Sequence, residues 1–224
     1  DDVPGYLIPS LYFRYLQTKD PAPLAGVVRH NRWDILTTAA LAAYVGQAMA
    51  QPLEAAPLGR PLPGSDLLAI GCRLLERREW DEAVACLEEA LRRGLPDSLQ
   101  GKCRKALAAA YRRMGWEERS AHQWRALAEG GGLSPGPCVE LAKYYEHRVK
   151  DLEKARLWTL RAIEAVQRRR LLRLRRGATL SHAGSFHDQQ MQELLHRLRR
   201  LEAKLARQAP QQELRDQQLV LGGW

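Results

Sequence analysis

A recurring pattern of small and large apolar residues constrains this chain more than any other feature. Leu67, Ile70, Gly71 and Leu74 share one face of a helix, and Ala83, Leu87 and Ala90 share a face of the next, with Pro96 just past its end. Leu107, Ala108 and Tyr111 repeat the first set, followed by Gly115 at a turn and then Ser120, Trp124 and Leu127. Leu141, Ala142 and Tyr145 repeat it again, followed by Ala155, Thr159 and Ala162, with one extra residue in the turn. The period is close to 34 residues, which is the sign of two-helix units that stack on copies of themselves. Small side chains at Gly71, Ala83, Ala108, Ala142 and Ala155 let the two helices of each unit approach closely. A chain built this way has to be mainly α.

The remaining segments fall around this array. Pro9 stands at a first helical turn, and Leu11, Tyr12, Tyr15 and Leu16 predict a short amphipathic helix that stops near Asp20 and Pro21. A longer helix is expected from about Leu24 or Asn31 to Met49, with Val27, Val28, Ile35, Leu36 and Ala39 at helical spacing. Residues 51–64 are rich in Pro, Gly and Ala without periodicity and read as an interdomain linker. Gly130 to Pro137 interrupts the array between its second and third units. Gly177 to Phe186 separates a basic helix from a final one, about Asp188 to Gln208, whose Met191, Leu194, Leu195, Leu198, Leu201 and Leu205 suit a helix capping the array. The Gln-rich segment from 208 to 224 is expected to be a mobile tail.

Composition narrows the function classes. No apolar run approaches the roughly 18 residues that span a bilayer, so a cytoplasmic protein with no membrane partner is expected. Cys72, Cys86, Cys103 and Cys138 have no metal-ligand spacing and read as reduced core thiols. The net charge of +9 favours polyanionic partners. Much of that charge is concentrated in Arg168, Arg169, Arg170, Arg173, Arg175 and Arg176, a candidate phosphate-binding surface whose other reading is a solvated helix face. A second cluster comprises Arg197, Arg199, Arg200, Lys204 and Arg207. In the second unit, Lys105, Arg112 and Arg113 are candidates for holding an acidic protein segment in a groove.

His30 and Asp34 are four residues apart, so on one helix they share a face. Spacing alone leaves an ion pair, or a helix capped by Asn31 with Asp34 in its first turn, as readings. Asp1 and Asp2 are adjacent and are not assigned as ligands, and His182, His187 and Asp188 form a weak metal candidate in a break.

The stretch from His30 through Asn31, Arg32, Trp33, Asp34 and Ile35 to Leu36, with Asp1 to Pro9 and Leu11 to Leu16 before it, resembles the end of a ribonuclease-H-like exonuclease domain of the DEDD superfamily. The similarity is to a bacterial family that carries tetratricopeptide repeats after that domain, and the helical units described above are similar to those repeats, the alternative being a generic array of helical hairpins. The resemblance implies that 1–50 are the terminal helices of an α/β nuclease domain and that 65–207 are a tetratricopeptide-type solenoid. It implies a metal-dependent 3′–5′ exonuclease, with Asp34 a catalytic ligand of Mg or Mn and His30 its catalytic companion. The family's earlier acids, on an Asp-x-Glu strand and a later element, have no counterpart here. The chain is therefore expected to be a fragment, without a metal and inert by itself, whose own competence is binding. The alternatives are a non-enzymatic scaffold for an acidic protein segment and a basic nucleic-acid-binding helical protein.

Overall fold

Pro9 opens the first helix, α1 (Ile8–Thr18), where its missing N–H costs nothing, and Lys19 closes it in the left-handed conformation at φ 58°. The Asp20 carboxylate then accepts a hydrogen bond from the Ala22 amide at 3.0 Å and sets the turn into α2 (Ala25–Ala50). The computed structural model describes residues 3–57, 59–131, 134–175 and 182–221. Asp1, Asp2 and Arg176 lie outside the described residues, as do the side chains of Arg173, His182 and His187 and those of the tail from 209 onward.

One α2 helix starts at Ala25, so Asn31 is in its interior and the capping reading of Asn31 is corrected. Arg29, His30, Asn31, Arg32 and Asp34 make the early turns of α2 polar, whereas from Ile35 to Ala50 its residues are mostly apolar on every side, yet Ile35 (62%) and Leu41 (61%) are exposed. A helical segment that is hydrophobic all round belongs inside a larger body. Among the described residues α2 is covered chiefly at its ends: Ala48 is buried and Tyr44 partly so, and Gly26, Val27 and His30 are half-buried near its start.

Three helix pairs follow: α3 (Gly64–Glu76) with α4 (Trp80–Arg93), α5 (Asp97–Arg113) with α6 (Glu117–Glu129), and α7 (Gly136–Tyr144) with α8 (Leu152–Arg175). Each turns through one left-handed residue, Arg78 at φ 65°, Gly115 at φ 78° and Lys150 at φ 64°. The first two turns also share a closing bond, from the Glu79 amide to the Leu74 carbonyl at 3.0 Å and from the Trp116 amide to the Tyr111 carbonyl at 2.8 Å. In the third pair the extra residue is taken up before the turn, in a π-helical turn at Tyr145–Val149. Among the described residues no strand occurs, and the fold is mainly α.

The small residues are where the helices touch. Ala83, Ala108, Ala142 and Ala155 are fully buried, and the Ser120 hydroxyl, which stands at the equivalent small position, donates to the Ala108 carbonyl at 2.8 Å. A Cβ added at Gly71 would lie 2.8 Å from Leu87 Cγ, and Leu87 has no exposed surface to retreat toward. Gly71→Val should therefore lower stability by about 2 kcal/mol, read as an earlier urea midpoint with an unchanged slope. Gly71→Ala should cost less, because alanine's helix propensity offsets about 1 kcal/mol of the crowding.

Buried apolar side chains fall into two clusters. The first joins α3, α4 and α5 with Ala48, Ala55 and Leu62, and the second joins α6, α7 and α8 with a final helix, α9 (His182–Leu221). Leu194 and Leu201 of α9 are buried, with Met191, Leu198 and Leu205 packed beside them. The helix starts before the anticipated Asp188 and runs through Gln208 to Leu221, so its backbone is helical where a mobile tail was expected. Residues 51–64 also depart from expectation: Ala55 and Leu62 are 3% and 2% exposed, too deeply packed for a free tether.

Candidate functional site

On α2, His30 Nε2 lies 3.2 Å from Asp34 Oδ2, so the i,i+4 spacing brings the two together as a paired imidazole and carboxylate. Asp34 is well exposed, with 63% of its side chain accessible, and His30 is less so at 39%. Trp33 beside them is also exposed. An exposed pair of this kind contributes only about 0.3–0.5 kcal/mol to stability.

Asp34 by itself does not make a metal centre. A small divalent cation takes several oxygen ligands in near-octahedral geometry, and among the described residues no group of three or more His, Cys, Asp or Glu side chains converges on one point.

The arginine-rich end of α8 is open to solvent. Arg168, Arg170 and Arg175 are exposed and Arg169 is half-buried; Arg170 is 3.8 Å from Asp188 of α9, a loose pairing. Leu171 and Leu172 within the cluster are 59% and 37% exposed because no described element covers this end of α8. Arginines and leucines thus share one amphipathic surface, and Arg168 and Arg175 border a recess of about 270 Å³ against Leu171 and Leu172.

Lys105, Arg112 and Arg113 are all exposed on α5. Of the three, Arg112 borders a cavity of about 340 Å³ between α5, α6 and α7, together with Trp124, Glu140, Lys143 and Tyr144. Glu140 already engages both Arg112 at 3.1 Å and Lys143 at 2.7 Å, which removes much of the positive charge that an acidic segment would seek.

Two charged centres, Glu146 and Glu89, lie outside the residues singled out from the sequence. Glu146 is 2% exposed in the π-helical turn, and its carboxylate accepts from Arg197 Nη1 and Arg200 Nη2 at 2.8 Å and from Lys204 Nζ at 2.9 Å. Burial pushes its pKa up, but the Lys204 hydrogen bond and the charges of Arg200, Lys204 and His147 hold it net below the usual glutamate range. Three of the five residues of the second basic cluster are therefore structural: they dock α9. Glu89 of α4, bonded by Arg92 and Arg93, is pushed down to about 2. The thiols carry no such activation: burial pushes Cys86 and Cys103 up to about 11, and all four cysteines are free.

Among the described residues no helix is long and apolar enough to cross a membrane. Residues 1–45, which contain α1 and most of α2, match the RNase_H superfamily. The chain is also similar to the uncharacterized protein YprB of Bacillus subtilis (strain 168), with 29% identity over 157 residues, 69% of this chain and 36% of that protein. It therefore spans little more than a third of the curated relative it matches. The N-terminal helices are thus similar to the ribonuclease-H-like superfamily.

Proposed function

We propose that this chain is part of a metal-dependent 3′–5′ exonuclease, in which α1 and α2 complete the ribonuclease-H-like catalytic domain and α3 to α9 form a tetratricopeptide-type array that holds the substrate or a partner. The observation that carries the reading is the His30–Asp34 pair on a largely uncovered helix whose following turns, from Ile35 on, are mostly apolar on every side, within the stretch that matches the RNase_H superfamily. A helix of that composition requires a body packed on it, and a catalytic domain's sheet and acids, carried by the rest of a longer polypeptide, would supply both the cover and the remaining ligands for Mg or Mn. In this reading Asp34 is a ligand and His30 orients or deprotonates the attacking water.

The test uses the full-length protein with 5′-labelled DNA and RNA oligonucleotides and either Mg, Mn or a chelator. Metal-dependent shortening from the 3′ end is the expected result. Absence of cleavage on every substrate would overturn the proposal.

The arginine surface of α8 is assigned to phosphate binding. Log affinity should fall linearly with log salt, and replacing Arg168 and Arg175 with Ala should reduce that slope by about 0.9 for each duplex phosphate no longer neutralised. Lys105→Ala should leave the slope unchanged. If Lys105→Ala weakens partner binding and the arginine changes do not, the chain is instead a scaffold for an acidic protein segment.

A further inference from the structure

Residues 51–63 connect the helix that bears His30 and Asp34 to the helix-pair array, and a guanidinium grips both ends of them. Arg93 Nη1 donates to the Leu62 carbonyl at 2.7 Å and Nη2 to the Leu53 carbonyl at 2.9 Å, while Nε is held by Glu89 Oε1 at 2.5 Å. Only 18% of the Arg93 side chain is exposed. One planar fork thus ties two points of the connector to the last turn of α4, a geometry that lysine, with a single point charge, cannot reproduce.

Three further interactions fix the same joint. Ala48, Ala55 and Leu62 are buried in the first core cluster, so the connector packs as part of it. Tyr44 donates to Asp66 Oδ2 at 3.2 Å, linking α2 directly to the first turn of α3. Gly64 lies so close to α4 that an added Cβ would stand 2.6 Å from the Ala90 carbonyl oxygen and closer still to that of Gly94. Apolar burial, a cross-helix hydrogen bond, close backbone approach and a charge-assisted clamp all act on one junction.

The direction in which this junction holds the array follows from helix geometry. At 3.6 residues per turn, Ala48 stands about five whole turns beyond His30, on nearly the same line and roughly 27 Å along the axis. Asp34 is displaced from that line by roughly 40° and lies about 21 Å before Ala48. The array therefore docks on the side of α2 that carries the pair.

We propose that Arg93 is a positioning residue that clamps residues 51–63 into a fixed elbow, holding the helix-pair array on the face of α2 that carries His30 and Asp34. A strand leaving the vicinity of Asp34 along this face meets the first repeat after about six base-pair steps at 3.4 Å each. This consequence for substrate rests on the nuclease reading, whereas the elbow does not.

Nitroxide labels at Arg32→Cys on α2 and Lys102→Cys on α5, in a Cys72→Ala background of the full-length protein, measure the elbow directly. The unmutated elbow should give a single narrow distance distribution, Arg93→Ala should broaden it at least twofold, and Arg93→Lys should not restore it. Arg73→Ala, which removes only an exposed pair with Glu76 on the same repeat, should leave the distribution unchanged. Amide exchange of residues 53–62 should rise at least tenfold in Arg93→Ala, with α7 and α8 unaffected. A broad distribution in the parent, or an unchanged one in Arg93→Ala, would overturn the proposal. Absence of cleavage with a narrow, Arg93-dependent distribution would instead sink the nuclease reading and leave the elbow standing.

Discussion

Asp34→Asn in the full-length protein should lower kcat by about a thousandfold or more while leaving the melting temperature within a degree or two. A metal-held transition state is stabilised by several kcal/mol through its ligands, and each 1.36 kcal/mol is a factor of ten in rate. The same side chain contributes little to folding: it is exposed, and its pairing with His30 is an i,i+4 interaction worth about 0.3–0.5 kcal/mol. The two magnitudes separate the two roles. A catalytic Asp34 gives a large rate loss at nearly unchanged stability, whereas a merely structural pair leaves the rate unchanged as well. Steady-state cleavage rates set beside a thermal melt of the same sample make the comparison, and unchanged turnover would remove Asp34 from the catalytic set.

Glu146→Ala should have the largest effect on stability, about 3 kcal/mol, concentrated in α9. The substitution leaves the cations gathered around a missing carboxylate, and breaking one side of a buried ion pair costs about 3–5 kcal/mol. The low end applies because Arg200 and Lys204 keep 42% and 44% of their side chains in solvent and can be rehydrated. The expected signature is regional: amide protection in α9 falls while protection in α3 and α4 stays. Glu146→Gln keeps the shape but not the charge and should behave alike with a smaller loss. Acid should act in the same direction. The folded-state pKa of Glu146 lies below its unfolded value, so its contribution is fully present above about pH 4.3 and is lost as pH falls through the folded pKa. Docking of α9 that persists in Glu146→Ala would show that Leu194 and Leu201 hold the helix without the charges.

These two residues also mark the limits of what the sequence discloses. The helix pairs are legible because close packing demands small side chains, and Gly71, Ala83, Ala108, Ala142 and Ala155 all occupy positions where helices meet. The extra residue of the third pair is legible as a count, but not its consequence, a π-helical turn in which Glu146 is buried. Its partners Arg197 and Lys204 are 51 and 58 residues away, so no local pattern joins them, and their cluster reads as surface charge. The connector illustrates a different failure. Pro, Gly and Ala without periodicity suggest a tether, yet Arg93 grips backbone carbonyls there, and carbonyls leave no trace in composition. The His30–Asp34 pair was readable from spacing; its surroundings were not, because α2 meets so little of this chain.

If Asp34 belongs to a divalent-metal centre completed by other acids of the longer protein, titration of the full-length protein with Mn²⁺ should show saturable binding at about two ions per protein, weakened at least tenfold in Asp34→Asn with the fold intact by circular dichroism. Equal Mn²⁺ affinity and stoichiometry in the parent and in Asp34→Asn would contradict it.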